Sequence, residues 1–446
     1  MQTTICALAT GNGGAVALVR LSGPDALSIL QRVSGKSSFE PRHQTFCTLY
    51  DGKEVLDKAL VTYFQAPHSF TGEDVVEFAL HASPYIKGRL LEILCTLGAV
   101  PAKRGEFSQR AFLNGKMDLV EAQGLCDLIA SGNKASHKLA MDSLGGKLST
   151  RLNELKEKLT SLLAQIEVRL DDVDEEMTPL SEDFIRGEIT AVLTQIQTLA
   201  DTFSIGKFIK EGIKIALVGA PNSGKSSLLN ALVGFDRAIV TDACGTTRDT
   251  VEETLEIDGQ KIILTDTAGI RAHALDPAEQ EGMRRSLRAM KEADIIVLVL
   301  DVSRPLSEEE KQLWADVQAQ NKRAVVVQNK IDRAQRACPL PDAKQVLATS
   351  CKTGEGIDKL KQFLTADTAQ AATGDGLMIS NLRHYEALLR AQTELEAALI
   401  QLSAARGGEI YAEHIRAALT HLKDLIGEVT PDDVLGVIFS TFCMGK

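Results

Sequence analysis

Apolar positions along this chain fall at different spacings, and the spacing changes near residues 115, 212 and 371. In the first stretch they come in short runs. Residues 15–21, 46–50, 60–64 and 75–80 read as strands, bounded by turn residues such as Ser22-Gly23-Pro24 and the Asp51-Gly52 pair. Residues 25–33 and 84–97 carry helical spacing, the second with Pro84 at its first position. This mixture predicts a compact α+β domain over residues 1–115. Gly11-Asn-Gly-Gly14 matches no dinucleotide fingerprint and reads as a turn.

From 116 to 211 the pattern is helical. Leu139, Leu144, Leu148, Leu152, Leu155, Leu159, Leu162, Ile166 and Leu170 recur at near-helical spacing with charges between them. Gly145-Gly146 is placed to kink or break that run. An acidic stretch, 171–176, reads as a solvated loop. With Thr178-Pro179 it precedes a second helix carrying Phe184, Ile185, Ile189, Val192, Ile196 and Leu199. Helical spacing returns over 371–446, in Leu382, Tyr385, Leu389, Ile410, Ile415, Leu419, Leu422 and Ile426.

Between the helical stretches, residues 212–370 alternate apolar runs (213–218, 295–301, 324–328, 346–349) with helical segments. That is the pattern of a doubly wound, mostly parallel α/β sheet with its ligand beyond the carboxyl ends of the strands. Asp258-Gly259 marks the turn of a hairpin within 255–263. The flanking helices each have an apolar face to bury, most economically against each other. The α/β domain is therefore expected as an insertion in a helical bundle, in a chain that is multidomain α+β and α/β.

A length of 446 residues fits two to four domains. The net charge of −11 argues against a broad nucleic-acid-binding face, leaving room for a local basic patch or a basic partner. None of the eight cysteines forms a Cys-x-x-Cys pair, so scattered reduced thiols in a cytoplasmic protein fit best. The first ten residues lack a basic region and a long apolar core, and are not read as a signal peptide. The run 295–300 is too short to span a bilayer. Cys443 stands fourth from the end, but the Met-Gly-Lys after it does not suit prenylation, and no membrane anchor is expected.

The chemistry is carried first by Gly219-Ala-Pro-Asn-Ser-Gly-Lys-Ser226, set between a strand and a helix. There, glycines let backbone N–H groups close around phosphate oxygens. Lys225 supplies charge at the β and γ phosphates and Ser226 an oxygen for Mg²⁺. Gly245-Thr-Thr-Arg-Asp249, Asp266-Thr-Ala-Gly269, Asn329-Lys-Ile-Asp332 and Ser350-Cys-Lys352 follow in order. Asp266 is placed to hold Mg²⁺ through water, and Gly269 to offer its N–H to the γ phosphate. The Asp332 carboxylate can accept from both the ring N–H and the exocyclic amine of guanine, a pair that adenine does not present. Five motifs in this order predict a GTP-binding domain.

With Arg20-Leu-Ser-Gly23, Phe70-Thr-Gly-Glu-Asp74, Gly105-Glu-Phe-Ser108, Ala111-Phe-Leu-Asn-Gly-Lys116 and the terminal Phe442-Cys-Met-Gly-Lys446, the chain resembles the MnmE (TrmE) family of tRNA-modification GTPases along nearly its whole length. The resemblance implies an N-terminal domain, 1–115, that binds a tetrahydrofolate (5-formyl or methylene) and makes a homodimer. It implies a helical domain from 116–211 and 371–446, and a K⁺-stimulated GTPase domain, 212–370, inserted in it. It further implies an FAD-dependent MnmG-like partner and tRNA as substrate. Together they would add a carboxymethylaminomethyl or aminomethyl group at C5 of the wobble uridine.

By motif, the resemblance points to Arg20, Glu77, Lys116 and Lys446 as folate contacts. It points to Asn222, Thr241, Ala243 and Thr246 as K⁺ ligands, and to Ser226 and Thr247 as Mg²⁺ ligands. Ile270 occupies the place of a water-orienting glutamine, and the resemblance points to Glu279 as the catalytic group. Cys443 is the second catalytic candidate. The nucleotide contacts comprise Asn222, Ser223, Gly224, Lys225, Ser226 and Ser227; then Thr241, Asp242, Ala243, Cys244, Gly245, Thr246 and Thr247. Further contacts are Asp266, Thr267, Ala268 and Gly269, with Asn329, Lys330, Asp332, Ser350, Cys351 and Lys352 at the base. Leu80-His-Ala-Ser83 departs from the family's His-Gly-Gly, and the segment before Gly11 lacks its usual prolines. A ribosome-assembly GTPase would share the five motifs but typically carries a basic RNA-binding module, whereas the C-terminal segment here is helical and not notably basic. A nucleotide-bound scaffold is the other alternative.

Overall fold

A computed structural model describes every residue except 1, 2, 12, 171–177, 179, 236–251, 267–286, 334–339, 341, 374, 375, 405, 406, 443, 444 and 446. The chain divides into two compact units. One comprises Met1–Ile129, Met141–Thr194 and Ala387–Lys446, the other Ala130–Ala140 and Gln195–Glu386.

The first unit contains a six-stranded sheet of β1 (Ile5–Leu8), β2 (Val16–Ser22), β3 (Gln44–Asp51), β4 (Glu54–Phe64), β5 (Val75–His81) and β6 (Val100–Pro101). Its order is β3-β4-β5-β2-β1-β6, antiparallel except between β1 and β6. Period-two alternation turns Val19, Leu21, Val61 and Phe78 to one face, where Leu30 of the helix Ala26–Ser34 and Leu90 and Leu94 of the helix Pro84–Thr96 bury them. Phe46 and Leu60, register partners on β3 and β4, remain exposed. Strand β4 begins well before the expected 60–64, because 54–59 continue the alternation. Strands β1 and β6 are too short to show a period, and the sequence pattern gave no sign of them.

The helix Lys134–Leu144 ends at Gly145-Gly146, Gly146 takes φ +75°, and Lys147–Leu170 begins anew. The glycine pair thus breaks the helix. Lys147–Leu170 packs along Gly408–Ile426, which lies on the other side of the α/β stretch in sequence. Leu152, Leu155 and Leu159 on one helix and Ile415, Leu419 and Leu422 on the other are buried, with Lys156–Glu428 and Arg416–Glu167 ion pairs between the two segments. The helix Asp432–Ser440 buries Leu435 and Phe439, and Phe442 beyond it, in one cluster with Leu119 and Ala122. A Cβ at Gly105 would stand 2.3 Å from the Phe439 carbonyl oxygen, so only glycine permits this docking.

Three of the sequence motifs meet in one buried network. The Arg110 guanidinium donates to both Glu73 carboxylate oxygens at 3.2 and 3.1 Å, to Glu106 at 2.9 Å and to the Thr3 carbonyl at 2.8 Å. Ser22 Oγ donates to Glu73 Oε2 at 2.7 Å. Arg110 and Glu73 side chains are 9% and 8% exposed, so deleting one leaves the other as a buried charge with reduced compensation. Glu73→Ala is expected to destabilise the sheet by about 3 kcal/mol. Hydrogen exchange of the β2 and β5 amides should then speed up by roughly 100-fold; a change of only a few-fold would contradict this account.

The second unit holds β7 (Ile213–Val218), β8 (Glu252–Ile257), β9 (Gln260–Asp266), β10 (Ile295–Asp301), β11 (Arg323–Asn329) and β12 (Val346–Ala348). The order is β12-β11-β10-β7-β9-β8, parallel except for the β8–β9 hairpin. Asp258 and Gly259 at its turn take φ +52° and +77°, as a type I′ turn requires. Ile215 and Leu217 pack with Leu228 and Leu360 on one face; Ala216 and Val218 pack with Trp314 and Val317 on the other. Burial on both faces is why these strands read as unbroken apolar runs.

Candidate nucleotide site

β7, β10 and β11 end at Val218, Asp301 and Asn329, and the loops beyond them form the site. From Val218 the chain passes through Gly219–Gly224 into the helix Lys225–Phe235. Lys225 Nζ donates to the Gly219 carbonyl at 2.7 Å and the Ala220 carbonyl at 2.9 Å, which holds the ammonium inside the loop. Gly224 takes φ +103°, and a Cβ there would lie 2.1 Å from Asn329 Nδ2. The Ser223 hydroxyl is fully buried and has no hydrogen-bond partner among the described residues. A glycine cradle at a helix N-terminus with a buried spare hydroxyl is chemistry suited to phosphate oxygens.

Asn329 ties this loop to the two loops expected to meet the base. Its Nδ2 donates to the Ser223 carbonyl at 3.1 Å, and its Oδ1 accepts from Lys330 N at 2.8 Å and Cys351 N at 3.4 Å. Burial pushes the Cys351 thiol up, so it stays protonated and donates to the same Oδ1, Sγ to Oδ1 3.3 Å. Asp332 Oδ1 accepts from Ser350 Oγ at 2.7 Å, which orients the carboxylate. Ser227, Asn329, Asp332, Cys351 and Lys352 line one pocket, so the two motifs expected at the base converge there with the helix after the phosphate loop.

Lys330 reveals a residue the motifs did not include, Asp301. The lysine adopts φ +67°, and its Nζ donates to the Asn222 carbonyl at 2.8 Å and to Asp301 Oδ2 at 2.6 Å. Burial raises the Asp301 pKa, but the hydrogen bonds from Lys330 and Ser303 outweigh it and hold the carboxyl below its usual range. Asp301 thus fixes the lysine that bridges the two loops. The signal in the sequence was a carboxylate closing six apolar residues at the carboxyl end of a strand.

Asp266 closes β9 beside Leu217 of β7, at the end of the strand as expected. Residues 241–247, with Thr241, Ala243, Thr246 and Thr247, lie outside the described residues, as do Thr267, Ala268, Gly269 and Glu279. Among the described residues, the base-reading loops make a direct expectation. Asp332→Asn removes one charged acceptor for two guanine donors, and hydrogen bonds to charged groups contribute about 1.5–3 kcal/mol each. GTP affinity should fall by roughly 100-fold while xanthosine triphosphate gains a partner. Titration with fluorescent nucleotides decides it, and an unchanged GTP affinity would remove Asp332 from this role.

The expected folate contacts lie in the first unit. Arg20 and Glu77 are cross-strand neighbours on β2 and β5. Arg20 Nε and Nη2 donate to Glu77 Oε1 at 2.9 and 2.7 Å. The Arg20 guanidinium also lies 5.3 Å from the Phe70 ring centre and 5.7 Å from that of Phe107. Its Nη1 reaches the Gly445 carbonyl at 3.4 Å. Lys116 packs against Gly72, in the same segment as Phe70. Cys443 and Lys446 lie outside the described residues, while Phe442 and Gly445 are buried.

Two family descriptions match the chain: "GTP-binding protein TrmE N-terminus" over residues 4–116 and "MnmE helical domain" over 119–443. The tRNA modification GTPase MnmE of Alkalilimnicola ehrlichii is 41% identical over 451 residues, covering all of both chains. That of Aquifex aeolicus is 39% identical, again over the full length of both. The protein of the same name from Thiobacillus denitrificans is 41% identical, covering 99% of this chain and 98% of its own. Among solved structures, the G domain of the T. maritima FeoB iron transporter is 30% identical over 35% of this chain and 98% of its own, with a TM-score of 0.27. On full-length identity and both matched family domains, the chain belongs to the MnmE (TrmE) family of tRNA-modification GTPases.

Proposed function

We propose that this protein hydrolyses GTP under K⁺ stimulation. With an FAD-dependent MnmG-like partner, it adds a carboxymethylaminomethyl or aminomethyl group at C5 of the wobble uridine of certain tRNAs. The observation that carries the reading is the meeting of the C-terminal tail with the Arg20–Glu77 pair, through the Arg20 contact to Gly445. It joins the family's terminal cysteine motif to the charged residues of the N-terminal domain, where a tetrahydrofolate is proposed to bind. Arg20 and Lys116 would meet its anionic tail. Glu77 would accept from pterin N–H groups, and the Phe70 and Phe107 rings flank the guanidinium. The exposed Phe46 and Leu60 pair supports a second copy of the chain as partner of this sheet. Nucleoside analysis of tRNA from cells lacking the protein is the test. Loss of the modified wobble uridine is expected, and an unchanged wobble position would overturn the reading.

Ser226 is exposed at the start of the helix Lys225–Phe235, and Asn222 is exposed with φ +62°. Their hydroxyl and amide oxygens are hard donors of the kind Mg²⁺ and K⁺ take. Ser226 with Thr247 would hold Mg²⁺, and Asn222 with Thr241, Ala243 and Thr246 would hold K⁺. The ions supply positive charge at the phosphates when bound. Ile270 has no polar atom to orient water, so Glu279 is assigned that task. Glu279→Ala should lower kcat by roughly 100-fold with little change in nucleotide affinity. Hydrolysis should be faster in K⁺ than in Na⁺. Equal rates in both salts, or an unaffected Glu279 variant, would count against this account.

A further inference from the structure

Two cysteines far apart in sequence meet in the N-terminal sheet. Cys6 lies within β1 and Cys95 in the last turn of the helix Pro84–Thr96, and their sulfurs stand 4.0 Å apart. Neither belongs to the nucleotide site or to the Arg20–Glu77 site. We propose that Cys6 and Cys95 form a reversible thiol-oxidation site, closing to an intramolecular disulfide on exposure to a hydroperoxide and reopening with a dithiol reductant.

A disulfide has its sulfurs about 2.05 Å apart, so closure brings the two about 2 Å nearer than they stand at rest. Cys6 is 2% exposed, whereas Cys95 is half-buried, so a small oxidant meets Cys95 first. There the sulfur attacks the peroxide: an S–O bond forms, the O–O bond breaks, and the leaving oxygen takes up the thiol proton as water or alcohol. Cys95 is now a sulfenic acid. Cys6 then attacks that sulfur, forming the S–S bond and breaking S–O. The departing hydroxide takes the Cys6 proton and leaves as water. In sum, two thiols are oxidised and one peroxide is reduced. Burial, with the neighbouring Cys95 sulfur adding to it, pushes the Cys6 thiol up to about 12. Cys6 is therefore protonated at rest, and it gives up that proton in the step in which it attacks the sulfenic sulfur.

The site also has a structural reach. β1 ends at Leu8, and an ideal Cβ on Gly445 would lie 2.3 Å from the Leu8 carbonyl oxygen and 2.8 Å from Ala9 Cα. Closing the disulfide ties the helix Pro84–Thr96 to the strand that supports the C-terminal tail.

The test uses the native full-length chain, reduced and then treated with hydrogen peroxide, followed by alkylation, digestion and mass mapping. A peptide joining Cys6 to Cys95 is expected, with free thiols falling by about two per chain. Dithiothreitol should reverse both changes, and Cys95→Ser, at a half-buried position, should abolish the linked peptide. Two results would overturn the proposal: Cys95 oxidised to sulfinic acid while Cys6 remains alkylatable, or disulfides joining either residue to another cysteine. The wild-type map decides without relying on any variant.

Discussion

Gly224→Ala is expected to lower GTP affinity by roughly 1,000-fold, the sum of backbone strain and a displaced side chain. At φ +103° a residue with a Cβ is strained wherever it points, and here the Cβ would stand 2.1 Å from Asn329 Nδ2. The Asn329 amide cannot move away without loss. It is 1% exposed, and it holds the Ser223 carbonyl, Lys330 N and the Cys351 segment together. An alanine therefore breaks the link between phosphate loop and base loops as well as reshaping the phosphate loop. The strands beneath are buried by independent contacts, so circular dichroism should show the fold retained. Equilibrium titration with a fluorescent GTP analogue measures the loss, and a change under ten-fold would mean that the Asn329 link is dispensable.

Cys443→Ser should reduce the modified wobble uridine to background in cells carrying only the variant, while GTP hydrolysis by the purified protein stays within about two-fold of wild type. The residues bracketing Cys443 are anchored. Phe442 is buried with Phe439, and Gly445, at φ +85°, packs on Leu8 and Ala9 and accepts from Arg20. Serine keeps the side chain's size, so tail docking should survive the exchange. What changes is the sulfur, so the variant tests the thiol itself. The nucleotide site uses none of these residues, which separates the two readouts. Wild-type levels of modified uridine would show that the thiol is not needed.

The glycine loop before the helix Lys225–Phe235 and the hairpin at Asp258-Gly259 were legible because each is a contiguous stretch whose stereochemistry is local. So were the inner strands of the second unit, where burial on both faces writes an unbroken apolar run into the sequence. The long helices and the break at Gly145-Gly146 were legible for the same reason. By contrast, β1 and β6 are too short for a period to show, and they acquire their identity only by pairing with each other and, for β1, with β2. The helix Glu106–Leu113 begins at Gly105 in a left-handed conformation, without a capping side chain to announce it.

The pairings between charged and thiol side chains lie at long range. Arg20 meets Glu77 because β2 and β5 are neighbours in one register. Glu73 meets Arg110, Asp301 meets Lys330, and Cys6 meets Cys95 across separations of 37, 29 and 89 residues. Arg20 reaches Gly445 across 425. By itself, the sequence determined which segments could form strands, helices and phosphate-binding turns, because backbone stereochemistry and hydrophobic periodicity act over a few residues. Only the tertiary structure decided which charges and thiols face one another, because that depends on strand register and loop closure, and a one-residue shift in register turns a side chain to the opposite face.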